Sequence, residues 1–380
     1  MRVGLSVSVI QRGKSGVATY VAGLLRGLEQ EGWPVEIVLF GLEEDRSWFT
    51  PWLENCRWVG VTEACRPAVK NIAWHQAVLP GLLRREKCDL LHIPSYRRIV
   101  GLPGVPQVAT IHDLAPFRLR GKYDALRMFY GKQVVRRLAR KCARIIAVSQ
   151  TTANDIAQFF HLSPPRVEVI YNGIDHELFR PVTETERKRR LPQAADWSDP
   201  WWIYVARLEH PGKNHLRLLE AFGRWAEKHP QSRSRLVLAG ADWHGAEVIH
   251  AAVAKSPWKE RICFAGFVPE ADLPSWYAGA RALIFPSLFE GFGLPPLEAM
   301  ACGCPVISSD QGSLREVVGE AGLLFNPTNV DEMVSAMERV HEDGNGLDSL
   351  REKGKKRAAG FRWEICARRT SALYSAALQG

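Results

Sequence analysis

A chain of 380 residues is long enough for two domains of ordinary size. With 46% apolar and 24% charged residues its composition is that of a soluble globular protein, which excludes a disordered or fibrous chain. The formal charge of +9 is uneven: residues 1–190 hold 29 Lys and Arg against 18 Asp and Glu, and residues 191–380 hold 21 against 23. A basic first half suits a partner with phosphates: anionic lipid, a phosphorylated acceptor or nucleic acid. No nucleic-acid-binding motif accompanies the charge, so no nucleic acid is expected.

The opening MRVGLSVSVIQRG is apolar for only a few residues and reads as a first buried strand, not as a signal peptide. Residues 2–10 alternate as a core strand would. A loose turn with Gly13 and Gly16 follows, then one apolar helical face of Val17, Tyr20, Val21, Leu24, Leu25 and Leu28, closed by Gly32. Strand, glycine turn and helix make the first unit of a doubly wound sheet, although the G-x-G-x-x-G fingerprint is absent. Further strands are expected at Val35–Phe40, Leu90–Ile93, Val108–Ile111, Ile145–Val148 and Val167–Ile170.

Residues 171–200, with the charged run TETERKRR and the turn-rich PQAADWSDP, break the alternation and mark a linker. A second series follows: Trp202–Ala206, Leu236–Ala239, Ile262–Ala265, Ala282–Phe285, Val306–Ser308 and Leu323–Phe325. A last helix is expected over roughly 363–378. Strands alternating with helices imply parallel sheets covered on both faces. The domain reading is 1–185, 195–360, and a terminal helix in 361–380. Ligands of such sheets bind outside the carboxyl ends of the strands.

The eight cysteines form no C-x-x-C pair and read as reduced core thiols of a cytosolic protein. Residues 127–144, RMFYGKQVVRRLARKCAR, read as a basic amphipathic helix, with Phe129, Val134, Val135, Leu138 and Cys142 turned away from its cations. Together with Arg84, Arg85, Lys87, Arg97 and Arg98 it is either a solvated face or a dock for an anionic membrane.

The stretch 283–309, LIFPSLFEGFGLPPLEAMACGCPVISS, concentrates the chemistry. A short strand ends at Pro286, Gly291 and Gly293 punctuate a loop, and Pro295 and Pro296 fit the first turn of a helix. Amides near Gly293 and Leu294 would face an anion in the loop. Glu290 precedes the helix and Glu298 lies on it. That spacing suits either a nucleotide-sugar laid across a helix start or a capped unit with two solvated acids. Arg207 and Lys213, at the end of the strand WWIYVA, could neutralise a leaving diphosphate or form a solvated basic loop. His112 and Asp113 end the strand VATIHD.

From Glu290 to Glu298, with GFGLPPLEAMACGCPVI, the chain resembles the E-x(7)-E signature of retaining glycosyltransferases of family 4, which have the GT-B fold: two Rossmann-like domains facing a cleft. ARLEHPGKNHLRLLEAF resembles the Arg and Lys pair of the same family. ATIHDLAPF, AVSQTTANDI and VIYNGID match its first domain. The resemblance implies Glu290 on the transferred sugar and Glu298 on the nucleotide ribose. It places Phe292, Gly293 and Leu294 along the donor sugar and diphosphate, Arg207 and Lys213 on the diphosphate, and Gly16 beside it. It sets His112 facing the donor sugar, and the backbone of Phe267 and Val268 on the base. It implies a nucleotide-diphosphate sugar donor, a saccharide or lipid-linked hydroxyl acceptor and retention of configuration, with no cofactor and no metal. HPGKNHLRLLEAF and IHDLAP resemble mannosyltransferases, which implies GDP-mannose. A UDP-sugar transferase, an epimerase or a phosphorylase on the same fold are the alternatives. Two departures are visible. The usual double glycine is Lys14-Ser15-Gly16 here, and the usual Lys-Gly is Lys213-Asn214. The expected location is cytoplasmic, with peripheral attachment to the inner face of the membrane.

Overall fold

A computed structural model describes residues 1–10, 12–13, 15–118, 129–194, 197–342 and 346–379. The chain forms two compact units. One is Met1–Gly173 together with Arg362–Gly380, and the other is Ile174–Phe361.

The first unit is built on a seven-stranded sheet: β1 (Arg2–Ser6), β2 (Glu36–Leu42), β3 (Cys56–Val61), β4 (Leu90–Ile93), β5 (Gln107–Ile111), β6 (Arg144–Ala147) and β7 (Val167–Val169), in the order β3-β2-β1-β4-β5-β6-β7. All of its pairings are parallel. Alternation sorts its side chains. Val3, Leu5, Ile37, Leu39, Leu90, Val108 and Ile146 share a core with Tyr20, Val21 and Leu24 of the helix Gly16–Gln30, and with Trp363, Cys366 and Tyr374 of the helix Trp363–Gln379. Their neighbours Val38, Phe40, Leu91 and Ile93 meet Leu79 and Leu83 of the helix Leu79–Arg85 on the other face. Ala109, Ile111, Ile145 and Ala147 meet Val135 and Ala139 there. The chain turns back in opposite directions from β1 and β4, which makes their carboxyl ends the switch point of a doubly wound sheet.

The second unit repeats the plan with six parallel strands: β8 (Trp201–Val205), β9 (Leu236–Ala239), β10 (Ile262–Gly266), β11 (Ala280–Phe285), β12 (Val306–Ser309) and β13 (Leu323–Phe325), ordered β10-β9-β8-β11-β12-β13. Its switch point lies between β8 and β11.

Four expectations need correction. β3, CRWVGV, was not foreseen: it is an edge strand in which exposed Arg57 and Gly60 interrupt the apolar run. Residues 174–185 belong with the second unit, not the first. The amide of Ile174 donates to the Phe361 carbonyl at 3.2 Å, His176 Nε2 lies 3.0 Å from the same oxygen, and Phe179 is buried. The stretch 127–144 is not one amphipathic helix. Residues 127 and 128 lie outside the described residues, Tyr130–Val135 is a π-turn, Arg136–Ala139 a single α-turn, and Arg144 already opens β6. Phe129 and Val134 are also exposed beside the cations, at 62% and 37%, while Val135 and Cys142 are buried. Finally, the eight cysteines are all unpaired, as expected, but Cys65 and Cys263 are only half-buried.

The terminal helix is held by close approach. A Cβ on Gly23 would lie 2.0 Å from the Trp363 ring, so only glycine lets the first and last helices meet there. A buried hydrogen-bonded chain runs beside them: Tyr20 Oη to Thr110 Oγ1 (3.0 Å), Thr110 to His92 Nε2 (2.8 Å), and His92 Nδ1 to Tyr374 Oη (2.7 Å). Replacing Trp363 by alanine is expected to destabilise the first unit by about 3–5 kcal/mol. Urea unfolding together with amide exchange in Gly16–Gln30 measures this; an unchanged midpoint and unchanged protection would contradict it.

Candidate active site

The carboxyl ends of β8 and β11 carry most of the expected residues, and local sequence fixes them there. β8 ends at Val205 and leads into Arg207; β11 ends at Phe285 and leads into the loop 286–293. The two loops are stitched together. Tyr204 Oη donates to the Lys213 carbonyl (2.8 Å) and lies 3.1 Å from Ser287 Oγ. The Leu288 amide donates to the Gly212 carbonyl at 3.0 Å. Asn214 sits at φ 61°, in the left-handed region that asparagine tolerates as glycine does. Its side-chain amide donates to the carbonyls of Pro286 (3.0 Å) and Pro327 (2.7 Å). That accounts for the Lys213-Asn214 departure: the backbone needs a left-handed residue, and asparagine adds two cross-links that glycine cannot.

The outcome is direct contact between two expected residues. Lys213 Nζ lies 2.5 Å from Glu290 Oε1, and both side chains are less than one-fifth exposed. Ser313 holds the rest of the loop, its Oγ against the carbonyls of Glu290 (3.1 Å) and Phe292 (2.7 Å). The helix Leu294–Ala301 starts after Gly293, whose φ of +103° is open to glycine alone. Pro295 and Pro296 remove two of the amides that a helix start usually offers. An anion there would meet Gly293 and Leu294, with the helix dipole behind them. The Phe292 ring is buried 5.9 Å from that of Phe361, so Phe292 has only backbone to offer a ligand.

Glu298, on that helix, is 7% exposed and accepts from Tyr277 Oη at 3.1 Å. Burial, with Glu270 nearby, lifts its carboxyl to about 8. Arg207 is less enclosed. Its guanidinium lies 4.6 Å from the centre of the Trp243 ring and 3.6 Å from Glu209. Trp243 belongs to the loop after β9, tied to the Arg207 loop by reciprocal backbone bonds: Leu208 to Ala241 (3.0 Å) and Trp243 to Leu208 (3.0 Å). Phe267 and Val268 follow β10, which ends at Gly266, and Phe267 is 58% exposed.

Gly16 and His112 lie on the first unit, at the carboxyl ends of β1 and β5. Gly16 opens its helix behind the Ser15 cap, whose Oγ accepts from the Ala18 amide at 3.2 Å, and no atom lies within 4 Å of a Cβ placed on it. Lys14 lies outside the described residues. His112 Nε2 donates to the Pro94 carbonyl (3.0 Å), which leaves Nδ1 as the acceptor of a neutral ring; burial takes the imidazole down to about 4. Asp113 Oδ1 accepts from the Ala115 amide at 2.9 Å and serves the turn. Ser149 caps its helix through the Thr152 amide at 3.0 Å.

Three residues of this constellation were not singled out in the sequence: Trp243, Tyr277 and Ser313. Trp243 had a faint signal, a tryptophan between Gly240 and Gly245 just past a strand end. Tyr277 lies inside a helix whose apolar face conceals it, and Ser313 in a turn with no distinctive neighbours.

Residues 187–357 match the family described as glycosyl transferases group 1, and residues 14–178 match glycosyltransferase family 4. O-antigen chain mannosyltransferase B of Escherichia coli is 30% identical over 270 residues, 70% of this chain and 69% of that one. A D-inositol 3-phosphate glycosyltransferase of Frankia alni is 31% identical over 72% of this chain and 69% of its own. The chain belongs to the family 4 glycosyltransferases. The aligned part of this transferase spans about two thirds of these curated relatives. Among solved structures, Anabaena HepE in complex with UDP and glucose superposes with a TM-score of 0.80 at 18% identity, covering 99% of both chains. Sucrose-phosphate synthase from Thermosynechococcus elongatus superposes at 0.79 with 20% identity, over 99% of this chain and 98% of that one. At those identities the likeness shows the fold, which is GT-B.

The Glu298 environment gives the transferase a pH signature. Its folded carboxyl, at about 8, titrates above the ordinary 4.5. Between those values the native state keeps a proton that the unfolded chain has released. The stabilisation is therefore full below about 4.5 and lost as pH rises through about 8. Glu298→Gln should flatten that fall. Urea midpoints at pH 5, 6.5 and 8.5 test it, and parallel pH profiles for the two proteins would refute it.

Proposed function

We propose that this transferase moves a hexose from a nucleotide-diphosphate sugar to a hydroxyl of a saccharide or lipid-linked acceptor, with retention of configuration. GDP-mannose is the first donor candidate, supported by the mannosyltransferase relatives, and a UDP-sugar is the second, supported by the UDP of the HepE complex. The observation that carries the reading is the Lys213–Glu290 contact at the start of the helix Leu294–Ala301. A cation, a carboxylate and a helix N-terminus within one loop pair offer complementary charge to a sugar joined to a diphosphate.

In this reading Lys213 and Arg207 stabilise the departing diphosphate, the ammonium as a point charge and the guanidinium as a fork placed over the Trp243 ring. Amides of Gly293 and Leu294 add to that stabilisation. Glu290 accepts from sugar hydroxyls, and need not act as nucleophile. Glu298 accepts from ribose hydroxyls, with Tyr277 fixing one of its oxygens. Gly16 leaves room for the diphosphate, Nδ1 of His112 accepts from the donor sugar, and Phe267 and Val268 border the base. Because the cations and the helix start take the diphosphate charge, the reaction is proposed to run without a metal. Release of nucleoside diphosphate tests all of this, with GDP-mannose, UDP-glucose and UDP-N-acetylglucosamine as donors and a panel of acceptors, in EDTA. Turnover should survive the chelator, and Lys213→Ala should lower it roughly 10²–10³-fold. Turnover that vanishes in EDTA and returns with manganese would assign the charge neutralisation to an ion instead.

The location is read from the first unit. No described helix is long and apolar enough to cross a membrane. Exposed Phe129 and Val134 stand among exposed Lys132, Arg137, Arg140 and Lys141, and the helix Leu79–Arg85 lies on the same face of the sheet. That combination suits reversible docking on the anionic inner face of a membrane, at about 1 kcal/mol per cation. Cosedimentation with phosphatidylglycerol vesicles should fall as salt rises, and should be lost when Arg137, Arg140 and Lys141 are changed to glutamine. Equal retention of both proteins would reduce the patch to a solvated face.

A further inference from the structure

One cation of the first unit lacks the partner that its position calls for. Arg98 sits in the turn Tyr96–Arg98 that follows β4, at the carboxyl edge of the sheet and beside the β1–β4 switch point. Its Nε donates to Asn71 Oδ1 at 2.5 Å and its Nη1 to the Arg97 carbonyl at 3.4 Å. Both acceptors are neutral, and among the described residues no carboxylate pairs with Arg98. Three arginines of the unit show the usual arrangement. Arg118 has Asp155 at 2.5 Å, Arg66 has Glu63 at 2.8 Å, and Arg2 has Glu36 at 2.7 Å. Burial, reinforced by the neighbouring Arg97 charge, draws the Arg98 guanidinium down to about 10, Tyr130 opposing in part. Desolvating a charge without a counter-ion is costly, and folded chains rarely retain one.

The surroundings hold that guanidinium in place without neutralising it. Asn71 Nδ2 donates to Ser8 Oγ, just past the end of β1, at 3.2 Å. His75 Nδ1 lies 2.7 Å from the Asn71 carbonyl and its Nε2 lies 2.8 Å from Ser6 Oγ, so the helix Ala68–Ala77 is fastened to the same strand end. Burial lowers His75 to about 4, which keeps that ring neutral. The segment leading to Arg98 is pinned in turn to His112, through its bond to the Pro94 carbonyl. Arg98 is only partly buried, its Nη2 has no acceptor among the described residues, and the fork remains reachable. The unit around it carries 27 Lys and Arg against 15 Asp and Glu.

We propose that Arg98 is the anion-binding subsite of the first unit, and that it takes a phosphate carried by the acceptor, beside His112. The inference rests on the transferase reading for the word acceptor alone; the subsite itself stands on the unpaired guanidinium. A guanidinium fork meets phosphate oxygens through parallel N–H bonds, which fixes orientation as well as charge. The source of the phosphate can be a soluble phosphomonoester or a lipid headgroup.

The test uses the full chain as wild type, Arg98→Gln and Arg98→Lys, with thermal unfolding read against inorganic phosphate and glycerol 3-phosphate. Sodium acetate and sodium chloride at equal ionic strength are the controls. Saturating nucleoside diphosphate is present throughout, so that the Arg207 and Lys213 site is occupied. Wild type should be stabilised by both phosphates. The midpoint concentration should rise roughly tenfold or more in Arg98→Gln, and less in Arg98→Lys. Without phosphate, Arg98→Gln should unfold no earlier than wild type, because it removes an uncompensated charge while keeping a donor for Asn71. A role limited to bracing Asn71 predicts the opposite: an earlier melt and an unaltered phosphate response. That pair of results would overturn the proposal, as would acetate matching phosphate. Phosphatidylcholine vesicles doped with phosphatidic acid separate the sources. A lipid-borne phosphate gives retention of wild type over Arg98→Gln, and a soluble one gives none. Nucleoside diphosphate release by wild type is scored separately, so failure of the transferase reading leaves the phosphate response intact.

Discussion

A strand buried on both faces admits a polar side chain only where the core supplies its partner, as Thr110 and Tyr374 do for His92, and both sheets of this protein are parallel and largely buried. Almost everything else follows from that. Polar chemistry must leave the sheet at the strand ends. Parallel connection gathers all the carboxyl ends along one edge, where each chain begins its return. Arg207, the loop 286–293, Trp243 and Phe267 come from four different strands of the second unit, and they share an edge because the strands run the same way. Gly16, Arg98 and His112 share the corresponding edge of the first unit for the same reason.

At those edges the two units treat charge differently. In the second, Lys213 already has a carboxylate at 2.5 Å, and Glu298 has a tyrosine hydroxyl and a raised pKa in place of a cation. The carboxylates there are poised to exchange partners. In the proposed reading, a ligand that brings its own diphosphate would compete for Lys213 and free Glu290 for hydroxyls. In the first unit the imbalance is positive, at Arg98, which no carboxylate pairs among the described residues. Both arrangements are costly for an empty protein, and cost of that kind concentrates where a ligand completes the electrostatics.

The parts of this organisation that were legible in the sequence were those written in local pattern. Apolar runs such as Leu236–Ala239 and Leu323–Phe325 declared their strands because few polar side chains find a partner inside a two-sided core. The Glu290–Glu298 stretch declared its helix through its prolines and glycines. β3 was illegible because an edge strand need bury only part of its surface, so Arg57 and Gly60 blur the run. The π-turn at Tyr130–Val135 defeated the helical reading of 127–144, since its side chains drift off the 3.6-residue period and leave Phe129 and Val134 outside. Among site residues, Lys213 and Glu290 could be named individually, but their contact could not. It depends on Asn214, which reaches from one loop to Pro286 and Pro327. The missing partner of Arg98 was equally hidden, for a sequence shows charges but not which of them are left alone.

The terminal helix carries the same logic one step further. Its residues Cys366, Leu373 and Tyr374 join the core of a unit whose other strands were laid down some two hundred residues earlier. Gly23 is shaped to receive Trp363, and His92 on β4 spends one ring nitrogen on Tyr374 and the other on Thr110. β4 and β5 are also the strands that deliver Arg98 and His112 to the edge. The last helix is thus bonded, through one buried histidine, to the two strands whose ends carry the first unit's polar chemistry. A chain that leaves its first unit at Gly173 and comes back to it at Arg362 therefore finishes the packing behind that edge only when its final turn is in place.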